Sequence, residues 1–87
     1  ATVLRRERQR LMIALRGMPG VTVFPSEANM ILVRVPDSKR AFDGLKQRKV
    51  LVKHIAGLHP LLVNCLRLTV GAPEENTMMI DALKESL

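Results

Sequence analysis

Proline and glycine cut this sequence into short pieces, and that limits what it can fold into. Pro19-Gly20, Pro25, Pro36, Gly57, Pro60, Gly71 and Pro73 interrupt the apolar stretches. The best runs, Leu11-Met12-Ile13-Ala14-Leu15 and Met30-Ile31-Leu32-Val33, fall far short of the ~18 apolar residues a membrane span needs. With 87 residues, one domain (1–87) is the natural count. Its elements must be short, and its core small.

Within the pieces the hydrophobic period alternates. Leu4, Leu11, Leu15 and Met18 lie on one stripe at helical spacing, so residues 3–17 read as a helix stopped by Gly17 and Pro19-Gly20. Val21-Thr22-Val23-Phe24 is β-branched and aromatic, the composition of a short strand, and Pro25-Ser26-Glu27-Ala28 breaks it. Met30 to Val35 is a second strand, apolar through Val33, which predicts cover on both faces at that end. Asp37 or Ser38 can cap a helix reaching about Arg48, with Ala41, Phe42 and Leu45 inward. Val50 to Ile55 reads as a third strand and residues 56–63 as a loop. Leu66-Arg67-Leu68-Thr69-Val70 is the fourth, with strict period two. Pro73 suits the first position of a last helix whose Glu74 and Glu75 sit at its positive end. The order α-β-β-α-β-β-α predicts an α+β two-layer sandwich, one small sheet with helices packed on it.

Two Phe, no Tyr and no Trp require an aliphatic core. The single Cys65 excludes an intramolecular disulfide and fits a reducing compartment, most simply the cytoplasm. No signal peptide is visible. The net charge of +6 is uneven: Arg5, Arg6, Arg8, Arg10 and Arg16 outweigh Glu7 in the first 17 residues, whereas four acids outweigh Lys84 after residue 70. Such a balance suits anionic partners, or a domain separated from an acidic remainder. An opening without Met, inside a helical pattern, suggests a fragment.

Candidate chemistry is sparse. Cys65, His54 and His59 match no zinc spacing, and Cys65 reads better as a buried structural thiol than as a nucleophile. Gly17-Met18-Pro19-Gly20 has the GxxG form of a nucleic-acid clamp, but a strand pattern follows it rather than a helix. The arginine-rich first helix keeps open a stand-alone basic nucleic-acid-binding module, and a small α+β domain keeps open an amino-acid sensor. Arg67 is the more informative cation. On a strand its guanidinium is a fixed fork able to take a carboxylate or phosphate, unless it is an edge residue turned to water. Lys53, in the neighbouring apolar strand, has the same two readings. The pair would make an anion site if the register placed both on one side of the sheet.

The string Cys65-Leu66-Arg67-Leu68-Thr69-Val70-Gly71-Ala72-Pro73-Glu74-Glu75-Asn76 resembles a segment near the C-terminus of histidinol-phosphate aminotransferases. Met18-Pro19-Gly20-Val21, Pro25-Ser26-Glu27-Ala28-Asn29-Met30 and the stretch from Phe42 to Lys53 resemble further segments of that family, in order. The resemblance implies the C-terminal small domain of a fold-type I enzyme, with a mostly antiparallel sheet. The whole enzyme uses pyridoxal phosphate and is typically a dimer. It interconverts histidinol phosphate plus 2-oxoglutarate and imidazole-acetol phosphate plus glutamate, in histidine biosynthesis. Its partner is then the large cofactor-binding domain of the same protein, with no nucleic acid or membrane. Arg67 matches the arginine that binds an anionic substrate group, and Lys53 stands where many members have a second substrate-contacting arginine. No lysine matches the Schiff-base position, so no catalytic residue, bound cofactor or metal is expected in this chain, which alone should be inactive. Lys49 replaces a usual glycine, Met30 a Phe and Ala72 a Thr.

Overall fold

The computed structural model describes residues 2–26 and 28–87. Glu27, inside the break read at 25–28, lies outside the described residues, as does Ala1. The elements are α1 (Thr2–Arg16), β1 (Thr22–Val23), β2 (Met30–Arg34), α2 (Ser38–Gln47), β3 (Lys53–His54), β4 (Cys65–Thr69) and α3 (Pro73–Ser86), with a 3₁₀ turn at Pro60–Leu62. Their order is the α-β-β-α-β-β-α of the sequence. The strands form one sheet, β1-β2-β4-β3, in which every neighbouring pair is antiparallel.

One face of the sheet carries the core. Ile31 and Val33 of β2 and Leu66 and Leu68 of β4 are fully buried against Leu11 and Leu15 of α1, Ala41 and Leu45 of α2, and Leu83 of α3. The opposite face is not covered as the apolar run 30–33 predicted: Met30 is 41% exposed and Leu32 half-buried. Alternation explains the difference, because only every second residue of β2 meets the helices. On the helical side, Gly44 lets α2 approach α3, since a Cβ there would lie 2.5 Å from Ser86 Oγ. Gly20 is required twice over: its φ is +76°, and a Cβ would lie 2.8 Å from Pro36 Cγ.

The third strand is shorter than 50–55, and the end of α2 gives the reason. Asp37 caps the start of α2, its Oδ1 accepting from Arg40 N at 3.1 Å. At the other end Lys49 N donates to Lys46 O (3.0 Å) and Val50 N to Leu45 O (2.9 Å). This is a Schellman arrangement, with Lys49 at the left-handed position, φ +63°. Val50 N is therefore bonded to the helix rather than the sheet, and pairing starts only at Lys53. The turn keeps the form a glycine would give it, although a lysine occupies it.

A polar network joins the two terminal helices. Glu7 of α1 falls on the same helical stripe as Leu4, Leu11 and Leu15 and is 6% exposed. Arg10 Nη2 donates to Glu7 Oε1 at 2.7 Å, and Asn76 Nδ2 to the same oxygen at 3.0 Å. Arg10 also donates to Pro73 O and Thr77 Oγ1 of α3. Asn76, 1% exposed, brackets Gly71: its Oδ1 accepts from Gly71 N (2.8 Å) and its Nδ2 donates to Gly71 O (2.9 Å). Pro73 opens α3 as expected, and Ala72 offers no cap oxygen; Glu75 Oε1 instead accepts from Ala72 N at 2.8 Å, the reach-back half of a capping box.

Two predictions follow from these local arrangements. Replacing Lys49 by Gly relieves the left-handed conformation and should raise stability by about 0.5–1 kcal/mol in a denaturant titration; an unchanged or lower midpoint contradicts it. The carboxyl of Glu7 is held below the usual carboxylate range, first by the hydrogen bond from Arg10, then by that from Asn76, against the opposing effect of burial. A carboxylate with a depressed folded pKa stabilises fully above its unfolded value, roughly 4.3, and this contribution is lost as pH falls through the folded value. Melting temperature should therefore fall below about pH 4 more steeply in wild type than in Glu7→Gln. Parallel pH profiles would show that Glu7 is not coupled to folding.

Candidate anion-binding site

Period two in β4 sends Leu66 and Leu68 to the core and Arg67 and Thr69 to the uncovered face. Because β4 lies between β2 and β3, Arg67 is not an edge residue. The register places Lys53 of β3 directly opposite Arg67 on one side and Leu32 of β2 opposite it on the other. Residues so paired have Cβ atoms roughly 4.5–5.5 Å apart, and like charges there are unfavourable. Sequence left this register open; the structure brings the two cations together on one face.

Neither cation is neutralised from within. Among the described residues the ion pairs are Arg10–Glu7 and Lys39–Asp43, and neither the Arg67 guanidinium nor the Lys53 ammonium donates a hydrogen bond to them. Arg67 is half-buried and Lys53 exposed, with Leu32, Met30 and Thr69 beside them on the same face. A planar five-donor fork beside an ammonium, over a partly apolar floor, can hold a carboxylate or phosphate bidentately and add a second charge contact.

A third cation on this face does different work, and the sequence reading passed over it. Arg34 follows Leu32 by two residues and so shares its face. Its Nε donates to Val63 O (2.9 Å) and its Nη2 to Leu61 O (2.6 Å), and the guanidinium lies 5.2 Å from the Phe24 ring centroid. Arg34 thus latches the segment before β4, committing two of its five donors to backbone carbonyls. Alternation in Met30-Ile31-Leu32-Val33-Arg34 was the available signal for its face, though not for its partners.

The other candidates disperse. His54 Nε2 lies 2.9 Å from Ser38 Oγ and its ring stacks on Phe42 at 5.2 Å, while His59 Nδ1 accepts from Leu61 N. Cys65 is buried and free. No three His, Cys, Asp or Glu among the described residues are grouped to hold a metal. Gly17 to Gly20 form the turn ending α1, and β1 follows. Arg8 donates to Ala28 O at 2.6 Å and Arg10 serves the Glu7 network, which leaves Arg5, Arg6 and Arg16 on the outer side of α1. All five lysines are exposed, and Lys39 is held protonated above its ordinary range by the hydrogen bond from its ammonium to Asp43. No helix among the described residues is long and apolar enough to cross a membrane.

The sequence profile of aminotransferase class I and II matches residues 1–83. The chain belongs to that family. Among curated relatives of this aminotransferase chain, the histidinol-phosphate aminotransferase of Methylibium petroleiphilum is 73% identical over 84 residues, covering 97% of the chain and 23% of the relative. The enzyme of the same name from Paracidovorax citrulli is 60% identical over 88 residues, 100% of the chain and 24% of the relative. The chain thus spans about a quarter of the length of these proteins. Among solved structures, histidinol-phosphate aminotransferase from Clostridium acetobutylicum superposes with TM-score 0.87 at 22% identity, over 97% of the chain and 26% of that protein. A decarboxylase from Sulfurospirillum multivorans superposes with TM-score 0.89 at 27% identity, over 99% of the chain and 23% of that protein. These superpositions place the α+β sandwich among aminotransferase folds.

The cross-strand pair makes a salt-sensitive prediction for the aminotransferase chain itself. Without an anion between them, Lys53 and Arg67 repel, so Lys53→Gln should raise stability by a few tenths to about 1 kcal/mol at low ionic strength. At about 1 M salt, where the screening length is roughly 3 Å, the gain should vanish. Loss of stability in Lys53→Gln at low salt would show that Lys53 is already neutralised.

Proposed function

We propose that the chain is the C-terminal small domain, residues 1–87, of a histidinol-phosphate aminotransferase, and that its uncovered sheet face closes over the active site. The reaction is histidinol phosphate plus 2-oxoglutarate to and from imidazole-acetol phosphate plus glutamate, a step of histidine biosynthesis in the cytoplasm. Pyridoxal phosphate, which the family implies for the whole enzyme, is held by the larger part of the protein. The observation that carries the reading is the Arg67–Lys53 pair, two cations facing each other on an inner and an edge strand, with neither ion-paired to an acid among the described residues. The relatives' names, at up to 73% identity, supply the reaction.

In this reading the chain's residues bind and orient. Arg67 takes the phosphate or α-carboxylate of the substrate with its fork, and Lys53 adds charge without a fork. Both substrates carry such groups, so one pair of cations can serve the two half-reactions. Closure of this face would exclude water around the bound anion and strengthen both contacts. Arg34 holds the loop at Leu61 and Val63 fixed beside the pair.

Truncating one partner of a desolvated, hydrogen-bonded charge pair costs about 2–5 kcal/mol. In the full-length enzyme Arg67→Ala should therefore lower kcat/KM for histidinol phosphate or glutamate by roughly 10²-fold, and Arg67→Lys should restore only part of it. Wild-type kcat/KM for both substrates in Arg67→Ala would overturn the role of Arg67.

A further inference from the structure

The Glu7–Asn76 network does more than stability demands. The apolar stripe of α1 already seats Leu11 and Leu15, both fully buried. Position 7 falls on that stripe, where a leucine would complete the packing. Glu7 is instead the only buried carboxylate among the described residues. A buried charge is a weak source of stability compared with an apolar side chain of similar volume, but its directional bonds can fix one register against another. Apolar packing alone lets a helix roll or slide by small steps.

The bonds of Glu7 run in a definite direction. From Oε1 they pass to Asn76 Nδ2, and from the Asn76 amide to both the N–H and the C=O of Gly71. Gly71 follows β4, four residues beyond Arg67. Arg10, bonded to Glu7, adds contacts to Pro73 O and Thr77 Oγ1 at the start of α3. The charged groups acting on Glu7 are Arg10 and Arg6, both on α1; from α3 the contact is the neutral Asn76 amide. The far end of β4 is thereby tied to α1 by a side chain buried on every side, while Val70 N donates to Asn29 O and ties it to the start of β2.

We infer that Glu7 and Asn76 are positioning residues for anion binding: they fix the angle between α1 and the strand that carries Arg67. The inference rests on the proposed function: a C-terminal domain is joined to the rest of its enzyme at its first residues, and here those form α1. The position of Arg67 relative to a substrate held elsewhere then depends on that angle. A loosened joint leaves the domain folded and Arg67 present, but presents the guanidinium in a spread of orientations. Such a spread weakens binding before it affects turnover of bound substrate.

The experiment uses the full-length enzyme, with steady-state kinetics for histidinol phosphate and glutamate beside thermal melts. Glu7→Ala and Asn76→Ala should raise KM about tenfold with kcat within about threefold of wild type. Glu7→Gln keeps an acceptor for the Asn76 amide and should stay within twofold in KM, even if its melting temperature falls. Asn76→Asp sets a second carboxylate against Glu7 and should raise KM at least tenfold at pH 8; adding Glu7→Gln supplies a donor between the two and should bring KM back to within threefold. Should the alanine variants fail to fold, Arg10→Ala cuts the contacts to Pro73 and Thr77 from a partly exposed side chain and should raise KM about threefold. If KM stays within twofold of wild type in every folded variant, whatever the melting temperature, the network is only structural and the inference is overturned. A wild-type enzyme that leaves histidinol phosphate untouched overturns the functional reading, and the inference with it.

Discussion

Strand β4 is bonded on both edges, and most of what this small domain does depends on that. Its pairing with β2 fixes Ile31 and Val33 beside Leu66 and Leu68, which closes the core. Its pairing with β3 fixes Lys53 opposite Arg67, which builds the candidate site. With period two, a shift by one residue would turn Arg67 into the core and Leu66 out to water. The buried leucines therefore enforce the register that brings the cations together, and the fold carries the electrostatic cost of the site.

Three cations share the uncovered face, and their surroundings give them different roles. Arg34 has backbone carbonyls and an aromatic ring for partners, so it is a structural strut. Among the described residues Lys53 and Arg67 have neither. The separation matters because a guanidinium held by two carbonyls and an aromatic ring has less freedom to clasp an anion than one whose donors lie beside a second charge. A count of arginines would not distinguish them; hydrogen-bond partners do.

The element order was legible because proline and glycine mark the breaks and the hydrophobic period marks the type. The helix over 73–86 could be read from Pro73, Glu74 and Glu75, and α2 from its Asp37 cap. What could not be read depended on contacts distant in sequence. The late start of the third strand follows from Val50 bonding back to Leu45, a consequence of the left-handed turn at Lys49. The cover expected over both faces of β2 failed at Met30, since a run of apolar residues does not say how many layers lie above it. Of the site, Arg67 and Lys53 were legible as residues and as a resemblance, but their juxtaposition needed the register. Arg34 and the Glu7–Asn76 bond were missed, because their partners lie 27 to 69 residues away along the chain.

The uneven charge of the sequence also has a physical resolution in the structure. The arginines of α1 divide into two groups. Arg8 bonds to Ala28 O, and Arg10 to Glu7 and to Pro73 and Thr77 at the start of α3. Arg5, Arg6 and Arg16 remain on the outer side of α1. Lys53 and Arg67 lie on the sheet's uncovered face, and the core, with the helices packed into it, occupies the opposite one. Positive charge is thus presented in two separate places, and only on the sheet is it paired across strands at fixed spacing. Diffuse charge on a helix screens over about 8 Å at physiological ionic strength and selects little. Two cationic groups held by a ladder select a shape as well as a sign, and under the proposed function it is this that favours a small anionic metabolite over a polyanion.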